Sequence, residues 1–461
     1  MAKTTNASWP DSWQTLEHGI RTGRYTDSEF AQLEQQKLWT KAWQMAARLD
    51  EIPEQGDYTV YEIGHQSVMI VRVDADTIKA YHNFCPHRGT ALAEADCSGT
   101  FENNRIICPF HGWRWDLAGN NQYILEQQQF RNGQLIASDV ALREVKLEIF
   151  AGFVFINFDA NPQPFAEFIA PVGQLIEDLA VGDMHHYWWK SVVAPCNWKV
   201  AVEAFLEGYH VPATHPQLEV AGAEFIFGDD VSGPPPEYSH VDHQYEIFPN
   251  GHGRFLGGKK TPMAGHTKVQ GDPVDIMANR LNLLVEGMDA MVLKEDVDLV
   301  RALKGKPIPE GSSLGAEYVK SLYSTAAAQN RPMPKLLPEV LDQWGGEIFV
   351  FPNLMILPQA GNTMIYRVRP NGADPDSCIF EIFSTKTYPA AQKQSRAVVQ
   401  PMTDAHDPEQ FLQIPRQDFA NLPRMQKGLH TQGCKQIWLA EYYEKLILNM
   451  HQEMDRYLTE E

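Results

Sequence analysis

Two short stretches decide how this chain is read: "YHNFCPHRG", Tyr81 to Gly89, and "CPFHGWRW", Cys108 to Trp115. Each offers one cysteine and one histidine, Cys85 with His87 and Cys108 with His111, beside a proline and a glycine that suit a tight turn. Zinc sites usually take paired cysteines from one loop and paired histidines from another. A mixed pair from each loop instead suits two irons, one held by two thiolates and the other by two imidazoles. Replacing thiolates with neutral imidazoles lessens the negative charge and raises the reduction potential, so the unit can receive electrons from an ordinary ferredoxin. A zinc knuckle is the competing reading.

The rest of the composition narrows the class. A chain of 461 residues is long enough for two domains, and 43% apolar with 21% charged residues is an ordinary globular balance. The formal charge of -20, with no Lys/Arg-rich run, argues against nucleic acid and against an anionic membrane surface. The longest apolar run, "IFAGFVFINF" (Ile149 to Phe158), is far too short to span a bilayer, and the N-terminus lacks an apolar signal core, so a cytoplasmic protein is expected. Six cysteines are too sparse for a disulfide scaffold, and only Cys85 and Cys108 have conspicuous spacing.

Periodicity divides the chain into an N-terminal helical arm (1–45), a small antiparallel β domain (46–160) and a larger mixed domain (161–461). Within the last, a helix is expected near 196–211, then a loop containing "SGPPPEY". A helical stretch from Asp272 to Leu303 follows, then β runs "EIFVFPNLMIL", "TMIYRVRP" and "CIFEIFSTKT". A final helix carries Ile437, Trp438, Tyr442, Leu446 and Met450 on one stripe. The fold class is therefore α+β.

A one-electron centre needs somewhere to deliver its electrons, and "NWKVAVEAFLEGYHVPATH" (Asn197 to His215) offers a place. On a helix capped at Asn197, Glu203, Glu207 and His210 stand at i, i+4 and i+7, and His215 follows five residues later. Two histidines and a carboxylate on one face of an iron(II) leave positions open for dioxygen and substrate.

At both places the sequence resembles the large (alpha) subunits of Rieske non-haem iron ring-hydroxylating oxygenases. The resemblance implies a Rieske [2Fe-2S] cluster on Cys85, His87, Cys108 and His111, and a mononuclear iron on His210 and His215. It also implies a bridging role for Glu207, hydrogen-bonded to His210 and to His111 of a neighbouring subunit. The acid there is Glu where Asp is commoner. "IPRQDFANLPRMQKGL" (Ile414 to Leu429) is similar to the family's Asp, then Gln eight residues on, then Gly, which implies Asp418 as third iron ligand, with Asp404 and Asp407 as rivals. Pro423 stands where the family often has Glu, and the 20 residues between His87 and Cys108 are longer than the family norm, with "CSGTFENN" as the insertion and Cys97 unligated in it.

The family's catalytic domain is an antiparallel sheet covered by helices, and its members form trimers, some with a small beta subunit. The chain holds no Gly-rich dinucleotide turn, so electrons are expected from a separate NAD(P)H-dependent reductase, with or without a ferredoxin. The activity implied is hydroxylation of a hydrophobic, aromatic substrate (ring dihydroxylation, aromatic hydrocarbon catabolism). The alternative is N- or O-demethylation or hydroxylation of a non-aromatic one. A pure electron carrier and a zinc-stabilised binding module are the readings from other classes.

Overall fold

The computed structural model describes residues 9–215, 217, 243–256, 271–337 and 346–459, so "SGPPPEY" lies outside the described residues. A seven-stranded antiparallel sheet runs in the order Gln44–Arg48, Phe153–Asn157, Glu144–Phe150, Ile78–His82, Gln66–Arg72, Asp57–Ile63, Ser98–Thr100. Its middle strands are buried on both faces. Val68, Ile70 and Ala80 join the main core, whereas Met69, Val71 and Tyr81 face a cluster containing Cys85, Cys108 and Trp113. A smaller antiparallel sheet of Arg105–Ile107, Arg114–Asp116 and Asn121–Tyr123 carries the second Cys/His loop as a hairpin connection. The "CSGTFENN" insertion supplies the edge strand Ser98–Thr100, and Arg396, from the far end of the chain, donates to Gly99 O and Tyr58 O at 2.8 Å each.

An eight-stranded sheet forms the second layer system, in the order Gln244–Ile247, Gly253–Leu256, Glu347–Val350, Leu354–Gln359, Asn362–Pro370, Cys378–Lys386, His185–Ala194, Gln400–Pro401. All its pairings are antiparallel except the last. Phe419 of the helix Gln413–Leu429 packs edge-on against Phe380 of this sheet, and Tyr457 of the helix Lys445–Thr459 stacks on Phe351, just past the strand Glu347–Val350. The α+β class and the helix-covered antiparallel sheet are thus as expected.

Three local expectations need correction. The N-terminal arm is α-helical only from Gly23 onward, after a 3-10 turn at Asp11–Trp13; Gly19–Arg21 is a strand, and it pairs with Gln436–Trp438. That pairing takes Ile437 and Trp438 out of the expected C-terminal helix, which begins at Lys445 and leaves Trp438 exposed. The stretch from Asp272 is two helices, Pro273–Met288 and Lys294–Arg301. Asp272 caps the first by accepting from Val274 N–H, and left-handed Asp289 (φ 49°) and Met291 (φ 63°) end it.

Polar groups fasten the two large sheets to each other. Asn353 accepts from Met45 N–H and donates to Met45 O, both at 3.0 Å. Arg367 forms a two-pronged ion pair with Glu381 and also donates to Ala46 O. Both partners of that ion pair are buried, and although burial opposes its charge, the guanidinium holds Glu381 below the usual carboxylate range. Glu381→Leu would leave the guanidinium unpaired, and a loss of about 3–5 kcal/mol in denaturant unfolding is expected. A change under about 1 kcal/mol would show the pair to be dispensable.

Candidate metal centres

The two Cys/His loops are built alike. Cys85 N–H donates to Thr90 O at 2.7 Å and Gly89 N–H donates back to Cys85 O at 2.9 Å; Cys108 N–H donates to Trp113 O at 2.9 Å and Gly112 N–H to Cys108 O at 3.0 Å. Each ring closes on a glycine four residues past the cysteine with φ of +80° or +70°, a conformation that L side chains resist. Asn83 clamps the first loop's exit, accepting from Leu92 N–H and Ala93 N–H.

Folding the loops together turns the thiols inward and the imidazoles outward. Cys85 and Cys108 are buried, while His87 and His111 are half-buried with ring centroids 4.7 Å apart. Trp113 stacks on His87 at 4.8 Å and 9°, and Trp115 donates its Nε1–H to Val140 O. Burial, with the adjoining Cys108 thiol, pushes the Cys85 thiol up to about 11 against the pull of the His87 backbone N–H. A free Cys85 thiol here stays protonated, and a thiophilic metal is what displaces that proton. Cysteines on one side and histidines on the other suit a two-iron unit with one iron of each kind.

At the second centre the structure brings together His210, His215 and Asp418, whose donor atoms all lie within 4.8 Å of one another. Asp418 Oδ1 is 3.0 Å from His215 Nε2 and 3.7 Å from His210 Nε2. Each Nδ1 is engaged elsewhere, that of His210 with Glu207 Oε1 at 2.9 Å and that of His215 with Gln417 Oε1 at 3.0 Å. With the protons on Nδ1, both Nε2 lone pairs face the carboxylate, the arrangement that orients imidazole ligands around a metal. Two neutral nitrogens and one carboxylate fit iron(II) with open positions. The rival acids lie in turns: Asp404 and Asp407 accept backbone N–H bonds from His406 and Glu409.

The expected continuous helix is not found, so Glu203, Glu207 and His210 do not share one helix face. The helix runs only Trp198–Glu203, capped as expected by Asn197, and a single turn Val211–Thr214 follows an irregular stretch. Glu207 accompanies the break, its Oε2 accepting His210 N–H at 2.9 Å where a continuous helix would offer the Leu206 carbonyl. Burial lowers the His210 pKa, but the Glu207 hydrogen bond and charge outweigh it and the net shift is upward.

The base of this centre is tied to both ends of the chain. Gln426 Oε1 accepts Asn197 N–H, and both Gln426 Nε2 and Asn197 Nδ2 donate to Tyr25 O. Beneath them Glu203 Oε1 meets Tyr25 Oη and His451 Nε2, each at 2.8 Å. Burial pushes Glu203 up to about 8 and His451 well below its ordinary value, so this contact is a neutral hydrogen-bonded set rather than an ion pair. A cavity of about 560 Å³ opens beside the centre, lined by Glu207, His210, Asp418, Met425, Trp438 and Glu444.

Sequence reasoning missed Gln417, which carries no signal beyond adjoining Asp418. It also missed Glu347, whose signal is an acid placed in step with Phe349 in "EIFVF". Val202, Phe205 and Leu206 are core residues, Phe205 lying 4.2 Å from Tyr366 ring to ring.

Comparison with known proteins finds two family matches in succession along the chain. Residues 42–138 match the Rieske [2Fe-2S] domain, and residues 181–282 and 305–460 match the ring hydroxylating alpha subunit catalytic domain. The chain belongs to the ring-hydroxylating alpha subunit family. This is a family of Rieske non-haem iron oxygenases, and its two domains imply one Rieske cluster and one mononuclear iron. The carnitine monooxygenase oxygenase subunit of Escherichia coli (strain K12) is 32% identical over 195 residues, 42% of this chain and 50% of that protein. The methanesulfonate monooxygenase hydroxylase subunit alpha of Methylosulfonomonas methylovora is 28% identical over 194 residues, 40% and 47% of the two chains. This alpha subunit spans about half the length of the curated relatives it matches. Among solved structures, the quaternary ammonium Rieske monooxygenase CntA in complex with L-carnitine aligns with TM-score 0.61 at 16% identity over 96% of both chains. Naphthalene 1,2-dioxygenase from Rhodococcus sp. bound to indole aligns with TM-score 0.62 at 18% identity over 96% of this chain and 95% of the other. Both likenesses show a shared fold. Among the described residues no helix is long and apolar enough to cross a membrane.

Proposed function

We propose that the chain is the oxygenase component of a Rieske monooxygenase that hydroxylates a C–H bond of a non-aromatic small molecule, releasing an alkyl group where that carbon bears nitrogen or oxygen. One oxygen atom of O2 enters the substrate as hydroxyl and the other leaves as water, consuming two electrons and two protons. The observation that carries this reading is the convergence of His210 Nε2, His215 Nε2 and Asp418 Oδ1 beside Glu207, in a chain that also holds the two Cys/His loops. Relatives named as carnitine, glycine betaine and methanesulfonate monooxygenases favour a non-aromatic substrate over the ring dihydroxylation first expected. The fold likeness spans CntA and naphthalene dioxygenase alike and does not separate the two.

In this reading Cys85 and Cys108 hold one iron of the cluster, His87 and His111 the other, and His210, His215 and Asp418 the mononuclear iron. When bound, the cluster supplies single electrons and the mononuclear iron supplies open positions for dioxygen and substrate. Gln417 and Glu207 fix the imidazoles through Nδ1. Glu207 is also the proposed bridge to His111 of a neighbouring subunit, which requires that copies of the chain assemble; a homotrimer, with or without a beta subunit, is the assembly proposed. A separate NAD(P)H-dependent reductase, directly or through a ferredoxin, supplies the electrons.

Anaerobically purified protein is expected to contain about three irons and about two acid-labile sulfides per chain, with a Rieske-type paramagnetic signal after reduction. With a reductase it should form hydroxylated or dealkylated products from quaternary amines. Two irons with two sulfides in fully loaded protein would leave only an electron carrier, and zinc without sulfide would overturn both centres. A cis-dihydrodiol from naphthalene, with no product from amines, would restore the aromatic reading.

A further inference from the structure

Glu347 opens the strand Glu347–Val350, where Ile348 and Val350 join one buried cluster and Phe349 joins the other, the cluster that holds Phe205, Tyr366, Phe380 and Phe419. Alternation puts Glu347 on the Phe349 side of the sheet. Across the ladder its register partner is Phe255, whose ring stacks on Tyr245 at 5.6 Å. Phe419, which adjoins Asp418, lies in the same buried cluster as Phe349 and Tyr366, so this side of the sheet backs the mononuclear centre. Burial, with the charges of Glu207 and Asp418, holds the Glu347 carboxyl well above its ordinary range, and a cation beside it is what would favour its charged form.

The carboxyl is 4% exposed, and its Oε1 has no hydrogen-bond partner among the described residues. Other buried acids are provided for: Glu34 by Lys199, Glu381 by Arg367, Glu51 by Arg48 N–H and Thr59. A buried acid without a partner is unfavourable, and such exceptions call for a missing ligand or a functional reason. Here its surroundings are aromatic. An acid among ring faces is the donor set for an organic cation, especially one whose nitrogen carries no N–H and must be held by charge and π-faces alone.

We propose that Glu347 is a specificity-determining residue of this centre, pairing with a quaternary or tertiary ammonium group of the substrate while Phe255 and Tyr366 offer ring faces to its alkyl groups. The assignment rests on the oxygenase reading above and narrows its substrate to a cation. Phe349 and Tyr366 bound the same side of the sheet, so the head group is placed near the iron and the bond attacked is one close to nitrogen.

The test is titration calorimetry on the metal-loaded protein with choline and with its uncharged carbon isostere, 3,3-dimethylbutan-1-ol. Wild type should bind choline at least about tenfold more tightly, and Glu347→Gln should weaken choline by about 10–100-fold, because the charge–charge attraction across a water-poor contact is lost. The isostere should change by less than about threefold, since its contacts are apolar. Equal binding of the two by wild type, no binding of either, or equal weakening of both by the variant would overturn the assignment. Should Glu347→Gln lose its metals, Glu347→Asp, which keeps the charge, must still prefer choline, and loss of that preference would count against Glu347. Protein that holds about three irons and oxygenates neutral compounds without ammonium preference would refute Glu347 alone. Protein without the mononuclear iron would refute the oxygenase reading instead.

Discussion

Glu207→Gln is expected to retain cluster and iron yet lose turnover by roughly 100-fold, the upper end of what changes in hydrogen-bonded partners of metal ligands cause. One Glu207 oxygen accepts from the His210 backbone N–H and the other from His210 Nδ1, both at 2.9 Å. Glutamine has one acceptor oxygen and presents an NH2 in place of the other, so one of those two bonds is lost. Either the irregular stretch before Val211 loosens or the imidazole ring is freed to turn. The negative charge beside the ring is lost in both cases. Metal analysis with stopped-flow reoxidation of the reduced cluster in the presence of substrate separates these effects from metal loss. Glu207→Asp, one methylene shorter, should fall between wild type and Gln. Wild-type turnover in Glu207→Gln would remove Glu207 from the electron path.

Asp418→Ala should lose about one iron in three, keep the Rieske signal and form no detectable product. Among the described residues Asp418 is the only carboxylate that converges with His210 and His215, and two neutral imidazoles alone bind iron(II) far more weakly. Asp404→Ala and Asp407→Ala remove only turn-stabilising bonds and should leave both metal content and rate unchanged within about twofold. Full activity in Asp418→Ala, or loss of the mononuclear iron in either neighbour, would reassign the third ligand.

How far the sequence could be read depended on how local each feature is. The Cys/His loops were legible because ligand, turn-former and glycine fall within a few residues, and the ring from Gly89 N–H to Cys85 O closes inside the motif itself. Asn197 as a cap was legible for the same reason. The break after Glu203 was not, because periodicity counts apolar positions and takes no account of an acid that turns back on His210 N–H. Ile437 and Trp438 fit a helical stripe equally well, and only a strand more than 400 residues earlier, Gly19–Arg21, decides otherwise. Glu347 and Gln417 act through neighbours remote in sequence, so the linear pattern held their identity and not their use.

The carbonyl of Tyr25 receives Asn197 and Gln426, and its hydroxyl meets Glu203 together with His451. During synthesis this imposes a timetable. The strands of the seven-stranded sheet are all made once Asn157 has emerged, so the two sulfur-bearing loops can close while most of the chain is still unmade. The floor under His210 and His215 waits for residue 451. Nascent chains stalled between these points should therefore take up iron with sulfide and leave the mononuclear position unfilled, and a late truncation that spares every ligand should still cost the enzyme its second metal.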